Sequence, residues 1–298
     1  MMKIAVIGAN SNIARNFVYA NANKAEFALY DYQDEHIDGS SNYKQIDLSD
    51  IESIKKIDCE VDVIYYFVGL TGGLTDLSKT KDSISINQIY LVNLLNRLSE
   101  IQFKGKFIFP STRLVYKGKE TPLVENSEIE LKTAYGISKY ACEKLIEMYN
   151  LLRDLKYVIV RICVPYSTLV PSAKSYGTME FFMSKALKNE DITIYGDGAQ
   201  RRTFIHMGDL VEVLFLCGTN ERIKNDIYNI GGQDCSLAKA AEIVAKNTAV
   251  KVVNVEWPEE SLKVETGSTV FDSKKLDAIL KYEYKHTIEE WADGEQNI

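Results

Sequence analysis

In the stretch TAYGISKYACEK, Tyr135 and Lys139 lie four residues apart. Four residues make about one turn of helix, so a helical segment carries both on one face. A phenol with a pKa of about 10 is a poor base at neutral pH. A nearby ammonium favours the phenolate and makes the hydroxyl a usable general acid/base. The spacing alone says little, because the chain has 18 tyrosines. An ordinary half-buried helix tyrosine satisfies it equally well.

A second candidate is the turn GANSNIA, with Gly8, Ser11 and Ala14 at three-residue intervals directly after the apolar run KIAVI. Small residues there let the backbone turn sharply and approach a pyrophosphate at a helix N-terminus. An ordinary strand-to-helix turn needs no such ligand, so position matters. Asp31 ends the next apolar run, 23 residues after Gly8. An acid there accepts hydrogen bonds from an adenosine ribose and disfavours a 2′-phosphate. No Arg follows immediately, so NAD is the expected cofactor, with NADP left open. The competing reading of Asp31 is a solvated acid in the turn DYQDE.

The elements that would position these groups alternate along the first half. Apolar, β-branched runs at 3–8, 26–31, YKQIDLSD, 61–69, 106–112 and 156–164 read as strands. NIARNFVYANA, 83–101 and AYGISKYACEKLIEMYNLL read as helices between them. Buried parallel strands with helices on both faces predict an α/β, doubly wound Rossmann sheet. From residue 165 the text becomes loop-like and then mixes short helices and strands. We expect a dinucleotide-binding domain over 1–164 and a smaller substrate-binding C-terminal lobe over 165–298, partly interleaved with the first.

Bulk properties narrow the function classes. The chain has 298 residues and a formal net charge of −7, without a Lys/Arg-rich run, which argues against nucleic acid as a partner. Its five cysteines lie far apart with no Cys-x-x-Cys pair, and its three histidines are scattered. This predicts reduced thiols in a cytoplasmic protein and no metal site. No apolar run approaches the roughly 20 residues of a spanning helix, so neither signal peptide nor membrane association is expected.

The order and spacing of FPSTRLVY, YGISK, VRICVPY and YGDGAQRRTFIHMGDL resemble the extended short-chain dehydrogenases/reductases, in their nucleotide-sugar epimerase/dehydratase group. The likeness runs from IGANSNIA to the late FDSKKL. It implies that Tyr135 is the general acid/base on a sugar hydroxyl. Lys139 would hold the nicotinamide ribose and lower the phenol pKa. Thr112, with Ser111 beside it, would bridge the substrate oxygen and the tyrosine. On the cofactor side the resemblance implies Gly8, Ser11, Asn12 and Ile13 at the turn and Asp31 at the ribose. Asp47 and Leu48 would flank the adenine, Val68 and Gly69 would run along the cofactor, and Asn87 would face the nicotinamide. On the substrate side it implies Ser111, Thr112, Arg113, Tyr195 and Arg202, with Arg202 gripping the diphosphate and Asp197 and Gly198 in its approach loop. His206 and Asp209 follow in the same motif, and Asp209 reads equally as a helix cap. The implied substrate is a nucleotide-diphosphate sugar. The implied assembly is a homodimer through a four-helix bundle built from 83–101 and 134–152.

Several positions depart from the family pattern. Ser11 and Ala14 replace glycines, YFVG replaces His-Leu-Ala-Ala, YL replaces Gly-Thr, and Val164 replaces an asparagine that binds the diphosphate. The 4,6-dehydratases carry Asp-Glu after the catalytic threonine, where this chain has Arg113 and Leu114. Eliminating water needs that acid/base pair, so dehydration is not expected. Arg113 either reaches a charged sugar or faces solvent. Three readings remain: an NAD-dependent nucleotide-sugar 4-epimerase, an NAD(P)H-dependent reductase of 4-keto-6-deoxy sugars, and a non-catalytic dinucleotide-binding scaffold.

Overall fold

Alternate residues of the first apolar run enter different cores, Ile4 and Val6 one, Ala5 and Ile7 the other. A strand buried on both faces has no polar position to alternate with, which is why IAVI, residues 4–7, is continuously apolar. The computed structural model describes residues 1–71, 75–173 and 177–296. It begins with β1 (Met2–Ile7), α1 (Asn12–Asn21), β2 (Ala25–Asp31), β3 (Tyr43–Gln45), α2 (Ile51–Ile54) and β4 (Val63–Tyr66). One helical run follows, made of α3 (Thr80–Ile84), a wide turn at Ser85–Ile89 and α4 (Tyr90–Glu100). Next come β5 (Lys106–Thr112), α5 (Ala134–Arg153), β6 (Lys156–Ile162), β7 (Val164–Tyr166), α6 (Thr178–Leu187) and β8 (Ile192–Tyr195). β9 (Arg201–His206), α7 (Met207–Thr219), β10 (Asp226–Asn229), β11 (Gln233–Ser236), α8 (Leu237–Ala245) and β12 (Val252–Val255) continue the chain. The last helices are α9 (Glu259–Val264), α10 (Lys274–Leu280) and α11 (Ile288–Gln296).

Seven strands form one parallel sheet in the order β10-β6-β5-β4-β1-β2-β3. Phe17 of α1 and Leu210 and Leu214 of α7 cover one face. Leu91, Leu94 and Leu98 of α4 and Cys142 and Ile146 of α5 cover the other. This is the doubly wound α/β fold expected from the sequence. The strand order reverses between β1 and β4, and the crevice at their carboxyl ends is the usual ligand position in such sheets.

One expectation needs correction in detail. The strand read over 156–164 is two: β6 stops at Ile162, and β7 pairs with β9 in a separate three-stranded sheet, β11-β9-β7. Pro165 has no N–H to continue a central ladder. The seventh strand of the main sheet, β10, comes from beyond residue 164 and pairs with β6, and α7 packs there with α1. The remaining pieces gather around a smaller core that includes Met179, Phe182, Ile192, Val244 and Trp291.

Candidate active site

The turn after β1 is pressed against the segment after β4. Gly8 has φ +84°, and a Cβ there would lie 2.7 Å from the Val68 nitrogen and 2.9 Å from the Phe67 carbonyl carbon. Only glycine fits both the conformation and the space. The Gly8 and Ala9 amides donate to the Tyr30 carbonyl at 2.8 and 3.0 Å. Ser11 precedes α1 without capping it, and its buried hydroxyl has no partner among the described residues. A buried unmatched hydroxyl costs about 1–3 kcal/mol. An oxyanion at the start of α1 would satisfy it together with the open amides of the first turn. The residues therefore fit a dinucleotide pyrophosphate.

Asp31, 7% exposed at the end of β2, accepts from the Asn10 amide at 2.9 Å and the Tyr32 amide at 2.7 Å. Each carboxylate oxygen keeps lone-pair capacity for a ribose hydroxyl. Beyond it opens a cleft of about 870 Å³ whose lining includes Gly8, Ser11, Asp31, Asp47, Leu48, Val68 and Gly69. Asp47 is exposed and accepts from the Ser49 amide at 2.7 Å. Leu48 is buried. Asn87, in the wide helical turn, accepts from the Leu70 amide at 2.7 Å and donates to the Leu70 carbonyl at 3.2 Å. Its amide thus holds the chain after β4.

A second cleft of about 370 Å³ is lined by Asn12, Ile13, Ser111, Thr112, Tyr135, Lys139 and Cys163, among others. It shares Ser11, Phe67, Val68 and Gly69 with the first. Thr133 caps α5 by accepting from the Gly136 amide at 3.0 Å. A Cβ on Gly136 would lie 2.5 Å from the Leu114 carbonyl oxygen, so this glycine lets the first turn of α5 press against the segment after β5. Thr112, Tyr135 and Lys139 meet there. The Thr112 hydroxyl accepts from the Leu114 amide at 3.3 Å. Lys139 donates to the Pro110 carbonyl at 2.6 Å and lies 4.2 Å from the centre of the Phe109 ring. Burial pulls its ammonium down to about 8.

Ser111 lines the same cleft but donates its hydroxyl to Glu143 at 2.5 Å. Arg161 clamps that carboxylate at 3.0 and 2.5 Å. Sequence reasoning missed Glu143, although its position four after Lys139 puts it on the same helix face. Arg202 is 2% exposed and donates to Glu265 at 2.6 Å and to the Arg201 carbonyl at 3.0 Å. Arg113 is half-buried and donates to the Thr266 hydroxyl at 3.2 Å. Tyr195 is exposed at the end of β8, with its ring 5.1 Å from that of Trp257. Among the described residues, Arg113, Tyr195 and Arg202 do not line either cleft. His206 caps α7, accepting from the Gly208 amide at 3.1 Å, and stacks 4.0 Å from His286. Burial pushes it down to about 4. Asp209 is not the cap of α7: buried in its first turn, it accepts from the Tyr282 hydroxyl at 2.7 Å and the Lys285 amide at 3.0 Å, tethering the C-terminal segment.

The family model described as "NAD dependent epimerase/dehydratase family" matches residues 4–231. A putative UDP-glucose 4-epimerase of Methanocaldococcus jannaschii is 27% identical over 224 residues, 74% of this chain and 67% of that one. A UDP-N-acetyl-alpha-D-glucosaminuronate decarboxylase of Bacillus cytotoxicus is 29% identical over 233 residues, 75% and 71% of the two chains. The solved structure of the UDP-glucose 4-epimerase of Thermotoga maritima, with UDP-glucose, superposes with a TM-score of 0.83. It is 21% identical and covers 98% of this chain and 96% of that one. At that identity the likeness speaks for the fold.

Proposed function

The chain belongs to the NAD-dependent epimerase/dehydratase family, and from that membership we propose that it is a nucleotide-sugar 4-epimerase working through a 4-keto sugar. One observation carries the reading. Thr112, Tyr135 and Lys139 line a cleft that shares Ser11 and Phe67–Gly69 with the dinucleotide-sized cleft beside it. A sugar carbon in the smaller cleft would therefore adjoin a nicotinamide arriving from the larger one. NAD, when bound, supplies the hydride acceptor and donor for sugar C4. Gly8, Ser11, Asn12 and Ile13 would hold its pyrophosphate, Asp31 its adenosine ribose, and Asp47, Leu48, Val68 and Gly69 would line its path.

The side chains handle the proton. Tyr135 takes it from the C4 hydroxyl as the carbon loses hydride, leaving a ketone, and returns it when hydride comes back to the other face. Lys139 favours the phenolate by its charge, and Thr112 hydrogen-bonds the same substrate oxygen. Arg113 and Leu114 offer no acid/base pair for removing a 6-hydroxyl, so water is not eliminated. The same three side chains would serve one-way reduction of a 4-keto-6-deoxy sugar, and the missing acid/base pair suits an enzyme that receives its ketone ready-made.

Denaturing the purified protein and assaying released dinucleotide tests the reading. Near-stoichiometric NAD, with interconversion of C4-epimeric nucleotide hexoses, is expected. Reversible NAD(P)H binding without retained cofactor would replace the epimerase with the reductase. Tyr135→Phe should lower turnover about 10²- to 10⁴-fold while binding persists. Unchanged turnover would remove the catalytic assignment.

A further inference from the structure

Two arginines stand beside the sugar-side cleft with a single carboxylate between them. Arg202 takes that carboxylate, Glu265, at 2.6 Å, and the same Glu265 oxygen also accepts from the Gly267 amide at 2.9 Å. Arg113 donates to a neutral acceptor, Thr266, and makes no ion pair among the described residues. The rest of its guanidinium fork has no protein acceptor among them. Nearby, Lys132 donates to the Glu265 carbonyl at 2.9 Å and pairs with Glu130 at 3.2 Å, so that couple is neutral. The cluster keeps one positive charge without a counter-ion. Burial and the neighbouring Arg202 pull Arg113 down to about 10. A cation withdrawn from water is costly until an anion meets it.

The cluster's position indicates where such an anion would come from. Arg113 directly follows Thr112, and Cys163, within electrostatic reach of both arginines, lines the cleft that holds Thr112, Tyr135 and Lys139. We infer that Arg113 binds an oxyanion of the substrate, either the carboxylate of an acidic sugar or a phosphate oxygen of the diphosphate. A planar guanidinium takes both in the same two-pronged way. This rests on the nucleotide-sugar reading.

Calorimetric titration of the wild type, Arg113→Met and Arg113→Lys with UDP, UDP-glucose, UDP-glucuronic acid and dTDP-glucose tests it. Thermal unfolding of each variant checks the fold. Arg113→Met should weaken binding by about 10- to 100-fold, with partial recovery in Arg113→Lys. A loss confined to UDP-glucuronic acid assigns the contact to the sugar carboxylate, and a loss shared by UDP assigns it to the diphosphate. Wild-type binding that survives unchanged in a folded Arg113→Met overturns the inference and leaves the nucleotide-sugar reading standing. If the folded wild type binds none of the four, that reading falls and takes the inference with it.

Discussion

At the scale of single residues, Lys139 is buried at a cost to stability. Burial holds its ammonium at about 8, below the ordinary 10.5, so the unfolded chain binds more protons between those values. Folding stability from this group therefore rises with pH across that window and is lowest below about 8. On the proposed mechanism, activity runs the other way. As pH passes about 8 the ammonium is lost, the phenolate loses its support, and turnover should fall. Lys139→Met should lower kcat by at least about 10²-fold and show no stability gain between pH 8 and 10.5 relative to wild type. Parallel kcat and denaturant-unfolding series over pH check both limbs, and identical stability curves would refute the assignment. The convergence of Tyr135 and Lys139 was legible because four-residue spacing is local geometry. Gly8 was legible because a strand-to-helix turn wants a residue without a Cβ. Glu143 and Glu265 were not, since a carboxylate's partner depends on which distant arginine the fold brings to it.

At the scale of elements, the site depends on how β5 and α5 are fastened together. Ser111 of β5 donates to Glu143 of α5, and Arg161 of β6 clamps the same carboxylate. The ring of Tyr116 lies 4.6 Å from that guanidinium. Glu143 is fully buried and Arg161 nearly so. Truncating one partner of such a pair leaves an uncompensated buried charge. Glu143→Ala should destabilise the fold by about 3–5 kcal/mol in chemical denaturation. A loss under 1 kcal/mol would mean that water reaches Arg161. Periodicity read most strands and helices because buried parallel strands and amphipathic helices differ in their apolar pattern. It missed the break after Ile162 because Cys163 and Val164 continue the apolar run, and only the pairing of β7 with β9 distinguishes them. It also missed the wide turn at Ser85–Ile89, whose residues suit either kind of helix. That turn carries Asn87 to the Leu70 backbone.

At the scale of the whole molecule, what the sequence left open is how distant parts of the chain share one sheet. A strand of four residues, β10, carries too little pattern to announce that it joins β6 rather than the smaller lobe. Only the tertiary pairing decides it. The same scale governs assembly. On α5, Ile137, Met148, Leu151 and Leu152 are exposed, with Leu151 at 81% and Leu152 at 58%. Ile89, just before α4, is 50% exposed. Met148, Leu151 and Leu152 are spaced by three and one, and Ile137 stands three turns before Met148, so they lie along one side of the helix. Exposed apolar side chains in such a row favour burial against another surface. A second copy presenting the same helices would bury them symmetrically. We therefore expect a dimer in sedimentation equilibrium, and Met148→Glu combined with Leu152→Glu should shift it to monomer, since a carboxylate loses its hydration in an apolar interface. Because neither position is among the residues that line the two clefts, dinucleotide binding should survive in the monomer. A wild type that sediments as a monomer, or a double variant that remains dimeric, would put the interface elsewhere or nowhere.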